Sequence, residues 1–457
     1  MHIFDRQSRQ KLDLLVEEYI TTNNVNRRQF LQRTTALGLS ASAASALLAA
    51  CGGTSVSHVT SIDALTVWSG EELDSFNAVN AAFTKKYNIK INVESTRDQP
   101  AILTSRIRVN NPPDISAVPP AMFRQLASQK KLIALDSFFD MSTYQKNYAK
   151  TWQDLSSYND HLYAVLPKVN SKGTIWYNPT AFQAVGGTIP KTWNDLISLS
   201  DKIANGGTYP WAMGVESAAA SGWPAADWID QIYLGLNGPD MYEKWIAHQI
   251  SWTDTSVKKA FQMFGEIVNG KHYINGAPQS ILATNFQDSV FLPYTSPPQA
   301  YMCYLGDFAA GFITDQYKGL RPGTGFNFFP FPTINSKYKG VVTGGADIIA
   351  ALKDNDGTRQ YMEFVSTADA QAIWVKRGGA TSVNKAVDLN LYPNDVARAS
   401  AKQLTEANLF KVSADDQMPQ AVENAFWKAM LTYIQDRNQL DSALSSVEST
   451  AQQAYTS

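Results

Sequence analysis

Apolar and polar positions along the chain recur in an order that reads as repeated strand–helix units. Ala64 to Trp68 is a short apolar strand. It is followed by Leu73, Phe76, Val79, Phe83 and Tyr87 at three- and four-residue spacing, one face of a helix. Ile89 to Val93 alternates as a second strand, Ala101 to Val109 is helical, Asp114 to Val118 is a third strand, and Ala121 to Ser128 a third helix. Such alternation predicts an α/β fold, a parallel sheet with helices on both faces. Further on, Tyr163 to Val165 and Thr174 to Tyr177 read as strands around a loop from Pro167 to Gly173. Thr192 and Asp195 form a capping box that opens a helix through Ile203. The chain then reads as mostly helical to about Phe326, with short strands near Ala212 to Val215 and Ala300 to Tyr304. Val341 to Ala351 is a strand and Gly357 to Val365 a helix. Ser366 and Asp369 suggest a second capping box for a helix to Arg377, and Asp395 to Ala454 reads as helical throughout. No internal repeat is visible.

The N-terminal segment reads as an address. Arg27 and Arg28 precede Phe30 and Leu31, and Thr34 to Ala50 carries no charge. A charged segment, a mild apolar run and small residues after it form a signal peptide pattern. The run is too short and too weakly apolar to span a bilayer well. The arginine pair resembles a twin-arginine export signal, although Asn26 and Gln32 stand where that signal usually has Ser or Thr and Lys. Leu48-Ala49-Ala50-Cys51 resembles a bacterial lipobox. That resemblance implies lipidation of the Cys51 thiol, a mature chain starting there, and a protein anchored to the membrane rather than spanning it. Residues 1–50 are therefore set aside as signal, and 51–61 are expected to be a tether.

Charge and composition narrow the partners. With 39 basic and 41 acidic side chains the net charge is −2, so no nucleic-acid footprint is visible. Two cysteines exclude a disulfide scaffold, and Cys303 lies in an apolar run that predicts a buried, inert thiol. The five histidines are scattered, which argues against a His-built metal site. Eleven Trp and twenty Tyr make the chain rich in flat aromatic surface.

Several segments, in order, resemble the family-1 extracellular solute-binding proteins of carbohydrate ABC transporters, the maltose-binding-like group. They are Trp176-Tyr177-Asn178-Pro179 with Gly186 and Pro190-Lys191-Thr192-Trp193-Asn194-Asp195-Leu196; Ala300-Tyr301-Met302 with Gly306-Asp307-Phe308; Phe329-Pro330-Phe331-Pro332 with Gly344-Gly345-Ala346-Asp347; and Ala368 to Asn384. Asp416-Gln417-Met418-Pro419 with Phe426-Trp427 resembles the alpha-glucoside-binding branch. The resemblance implies a periplasmic-binding-protein type II fold, two α/β lobes with a hinge and a ligand cleft between them. By analogy one lobe is 62–170 plus 343–385 and the other 171–342 plus 386–457. It further implies a carbohydrate ligand, delivery to an ABC permease by hinge closure, no catalysis, no cofactor and no metal. A monomer is expected. A sugar-sensing or adhesion receptor and an exported glycoside hydrolase are the competing readings. For the hydrolase, no carboxylate pair is marked in the sequence.

A neutral sugar offers flat C–H faces and rings of hydroxyls, which aromatic planes and bidentate polar groups match. The candidate platforms are Trp68 at the end of the first strand, Trp223 in a Gly/Pro-flanked turn, Trp427, and Phe308 where the family usually has Trp. The candidate polar groups are Glu71, Lys172, Asp307, Asp347 and Arg377, with Gly344 and Gly345 allowing close backbone approach.

Overall fold

In the computed structural model the described residues are 59–268, 272–405, 407 and 409–456. The signal segment, Cys51 and most of the tether lie outside them, as do the side chains of Thr151, Asp347 and Thr405. Among the described residues, no helix is long and apolar enough to cross a membrane.

Two sheets organise the chain from Thr60 onward. The first contains β1 (Ser61–Thr66), β2 (Lys90–Ser95), β3 (Ile115–Val118), β6 (Ala164–Ser171), β11 (Val341–Ala351) and β12 (Leu409–Val412). The second contains β7 (Thr174–Tyr177), β8 (Trp211–Ala212), β9 (Met302–Tyr304) and β10 (Asn327–Pro330) in the order β10-β7-β9-β8. A small hairpin, β4 (Ser157–Tyr158) with β5 (His161–Leu162), stands apart. β1 pairs in parallel with β2 and β3, as the strand–helix alternation predicts. The sheet is nevertheless mixed, because β11 runs antiparallel to β3 and β6. β11 meets β6 on one edge; on the other it pairs with β12 through residues 341–344 and with β3 through 348–351. The chain passes from the first sheet to the second within Lys172-Gly173 and returns between β10 and β11.

Local signals set most of these elements. Ile62 and Ala64 are buried while Ser61 and Asp63 are exposed, so β1 is a half-buried strand. It starts earlier than the apolar run suggests, because Ser61 already pairs with Lys90. The helix Gly70–Tyr87 buries Phe76, Val79 and Phe83 and has Asn88 in the left-handed region as its cap. The Thr192–Asp195 capping box forms with both reciprocal hydrogen bonds. Thr192→Ala is expected to cost about 1 kcal/mol, read as a lower urea midpoint at unchanged slope.

Three expectations are corrected. The helix Ala368–Arg377 is capped by Thr367, whose side chain accepts from the Ala370 N–H, and not by Ser366. Pro167 lies inside β6 rather than in a loop. The tail is not helical throughout: Leu409–Val412 is a strand, held by β11 as its partner. Cys303 is buried in β9, and burial pushes its thiol up to about 12, consistent with an inert group.

Candidate functional site

A cavity of about 870 Å³ opens where the two sheets' strand ends and their connecting segments meet. Its size falls in the range of ligand sites. Six of the residues selected from sequence line it: Trp68, Lys172, Trp223, Phe308, Gly345 and Trp427.

Lys172 is placed by the crossing between sheets, where its N–H donates to the Thr343 carbonyl at 2.9 Å. Its Nζ lies 2.7 Å from Asp227 Oδ1, 3.5 Å from Asp416 Oδ2 and 5.7 Å from the centre of the Trp223 ring. Gly345 makes room for this side chain, since a Cβ there would stand 3.1 Å from Lys172 Cε. Gly222 has the stricter requirement. Its φ is +108°, and a Cβ would come within 2.5 Å of the Trp427 carbonyl oxygen. That close approach joins the turn carrying Trp223 to the helix Gln420–Gln435 carrying Trp427.

The aromatics differ in how they reach the wall. Trp223 is half-buried and contacts Phe286 and Phe308, with ring centres 5.1 and 6.0 Å away. Trp427 is half-buried too, and its indole N–H donates to Asp415 Oδ2 at 2.9 Å. Trp68 is a core residue that touches the cavity. It lies two residues beyond β1, is 1% exposed, and packs edge-on against Trp374 at 5.0 Å. Phe308 is nearly buried as well, wedged beside Trp223.

The other selected residues are placed elsewhere. Glu71 accepts from Arg377 Nη2 at 3.2 Å, while Arg377 Nε donates to Ser75 Oγ at 2.9 Å. That pair braces two helices away from the lining. Glu72, one residue on and about 100° further round the helix, lines the cavity instead and accepts from Lys168 at 2.8 Å. Asp307 is buried and accepts from Asn170 Nδ2 at 2.7 Å, Ser400 Oγ at 2.7 Å and Thr381 Oγ1 at 3.3 Å. Gly344 packs against Phe410 and the Asn170 carbonyl. Asp347 pairs by its backbone with Lys168, and its side chain lies outside the described residues.

The sequence reading passes over a set of buried acids at this wall. Asp227 and Asp230 sit three residues apart on the apolar helix Trp223–Asn237. Asp415 comes from the turn before helix Gln420–Gln435, and Glu423 from its first turn. One carboxylate oxygen from each of Asp227, Asp230 and Asp415 lies within 4.8 Å of the others. Spacing of that kind also suits a hard cation; here Lys172 stands at the cluster. The available signal was two acids on an otherwise apolar helix, and it does not say what faces them.

Burial dominates the electrostatics. It pushes Asp227 up to about 8 although Lys172 pulls it down. It also pushes Asp230 and Glu423 well above the usual carboxylate range, with Asp415 adding to both. Burial alone would lower the Lys172 ammonium; Asp227, Asp416 and Asp415 outweigh it and hold it well above its ordinary value. Two oxygens of these acids, Asp230 Oδ1 and Glu423 Oε1, are buried with no hydrogen-bond partner among the described residues.

Comparison with known proteins places the chain. The chain is 31% identical over 372 residues to the osmoprotective compounds-binding protein GgtB of Synechocystis sp., covering 81% of this chain and 87% of that one. It is 29% identical over 390 residues to the alpha-glucosides-binding periplasmic protein AglE of Rhizobium meliloti, covering 82% and 84%. Among solved structures, the bacterial solute receptor AcbH, with an exclusive preference for β-D-galactopyranose, superposes with a TM-score of 0.76 at 21% identity, covering 86% of this chain and 99% of that one. Residues 69–372 match the bacterial extracellular solute-binding protein family, and the chain belongs to that family.

Proposed function

We propose that this protein is the substrate-binding lipoprotein of an ABC importer. It takes a sugar or oligosaccharide, an alpha-glucoside by preference, in the cavity described above and delivers it to the permease by hinge closure. The chain is anchored through Cys51 on the outer face of the cytoplasmic membrane and works as a monomer. The lobes are 62–170 plus 343–385 and 171–342 plus 386–457, with β12 of the second segment reaching back to the first sheet.

One observation carries the reading. Trp223 and Trp427, tied together at Gly222, line one cavity with Lys172, Asp416 and Glu423. Aromatic faces beside hydrogen-bonding groups suit a pyranose. Glu423 Oε1 is buried at this wall without a hydrogen-bond partner among the described residues. Burial, with Asp415 and Asp416, pushes its carboxyl well above the usual range, and a carboxyl that keeps its proton both donates and accepts, as a sugar hydroxyl requires. The name of one sequence relative, the alpha-glucosides-binding protein AglE, supports an alpha-glucoside ligand.

The test is a titration of the protein lacking residues 1–51 with maltose, trehalose, sucrose, longer α-glucans and an amino-acid control, followed by tryptophan fluorescence. A saturable response to α-glucosides without product formation is expected. Trp427→Ala should weaken binding about 2- to 12-fold, and Glu423→Leu about 5- to 150-fold. A response to the amino acid alone would overturn the carbohydrate assignment, and product formation would favour the hydrolase.

A further inference from the structure

Asp230 lies behind the cavity wall and is fully buried. Its Oδ2 accepts from the Ala414 N–H at 2.9 Å, and its Oδ1 has no hydrogen-bond partner among the described residues. The groups around it are the reason. Asp415 and Asp227 each present one carboxylate oxygen within 4.8 Å of one of Asp230's, and Asp415 accepts through both of its own. Lys172 Nζ is engaged by Asp227 at 2.7 Å. The Tyr242 hydroxyl donates to the Val412 carbonyl at 3.0 Å, and the Tyr304 hydroxyl to the Asp227 carbonyl at 3.1 Å. Further along the same cluster, Asp416 stands by Asp227 and Glu423 by Asp415, and both are acids. An ionised Asp230 would therefore keep a bare oxygen among like charges in a buried site. One proton on Oδ1 turns that acceptor into a donor toward Asp415.

Asp415 has two further duties. Its Oδ1 accepts from the Asp416 N–H at 2.8 Å, and its Oδ2 accepts from the Trp427 indole at 2.9 Å. We propose that Asp230 is a positioning residue that carries a proton and donates it in a hydrogen bond to Asp415, so that Asp415 holds the Trp427 ring in the cavity wall. The inference rests on the reading of that cavity as the ligand site. Burial, with Asp415 and Asp227, pushes the Asp230 carboxyl well above its usual range, in keeping with a retained proton. Ligand affinity then falls as pH rises and the proton leaves, by at most about tenfold per pH unit. Asp230→Asn keeps a neutral donor at the same place at every pH.

The experiment has a readout that needs no ligand. The indole N–H resonance of Trp427, assigned by its loss in Trp427→Phe, is followed from pH 5 to pH 9, together with the infrared C=O band of protonated carboxyls. Part of the wild-type C=O band is expected to belong to Asp230, and the indole should shift at whatever pH that part is lost. In Asp230→Asn the indole should not titrate and that part of the band should be missing throughout. Maltose affinity should fall with pH in the wild type and stay within about twofold in Asp230→Asn. A wild-type C=O band with no part missing in Asp230→Asn would overturn the proton. An indole that titrates equally in Asp230→Asn would do the same. A pH-independent maltose affinity beside a titrating indole would overturn the positioning role and leave the sugar site standing. No maltose response beside a titrating indole would sink the ligand reading alone. A calcium-induced indole shift, reversed by EDTA and absent in Asp230→Asn, would assign the cluster to a cation instead. Asp227 and Glu423 are buried acids pushed upward too, so if Asp230→Asn does not fold, the double variant Asp227→Asn with Glu423→Gln decides: a C=O band that is lost with those two residues would overturn the Asp230 proton.

Discussion

Lys172→Met is expected to destabilise the protein by about 3–5 kcal/mol at pH 9 and by clearly less at pH 5. Lys172 Nζ sits 2.7 Å from Asp227 Oδ1, and both side chains are at least nine-tenths buried. Removing the ammonium leaves a carboxylate without its counter-ion in a site already crowded with Asp230 and Asp415. The pH dependence follows from the direction of the Asp227 shift. Its folded-state value, about 8, is above the unfolded value near 3.8, so the folded state holds a proton that the unfolded state has released across that interval. Stability therefore declines as pH rises through the window. Without Lys172 the carboxyl moves up further, the decline extends past pH 8, and the variant suffers most where Asp227 is forced to ionise. Urea midpoints at pH 5, 7 and 9 measure this. Losses of equal size at all three would mean that the pair is not ionic. Lys172→Met with Asp227→Leu should recover much of the loss, since replacing both partners removes the stranded charge.

Asp307→Ala should lower stability by about 3 kcal/mol or more, while the ligand affinity of the folded variant changes less than threefold. The sequence suggests Asp307 as a partner for a sugar hydroxyl, because it follows a glycine in a turn resembling the family's. Its carboxylate instead accepts from Asn170, Ser400 and Thr381 and is buried away from the cavity lining. Those three donors come from β6, from the segment after the helix Ala368–Arg377, and from the helix Asp395–Thr405. Deleting the carboxylate strands donors on three elements at once, each worth about 1–3 kcal/mol when left unpaired. The two hydroxyls can turn to other acceptors, whereas Asn170 Nδ2 has no such freedom. Denaturation read beside a sugar titration separates the roles. A tenfold loss of affinity at unchanged stability would return Asp307 to the binding site.

Sequence by itself determined the parts of this protein that depend on near neighbours. The Thr192 capping box, the bounds of β11 at Val341 and Ala351, and the apolar face of helix Gly70–Tyr87 all follow from residues a few positions apart. The order of motifs placed the chain in its family for the same reason, as each motif is local. Tertiary structure alone decided the rest. Leu409–Val412 is a strand only because an edge of β11 lies beside it, and nothing within its own four residues marks that edge. Glu72 rather than Glu71 turns to the cavity because Arg377 takes Glu71 on the other side. The acids behind Trp427 carry no joint signal until the fold brings them together. Asp227 meets Lys172 across 55 residues, and Asp230 meets the backbone before Asp415 across 184. Helical and strand periodicity reaches a few residues, whereas the charge state of a buried carboxyl is set by whatever stands within a few ångströms of it, and only the folded chain chooses those neighbours.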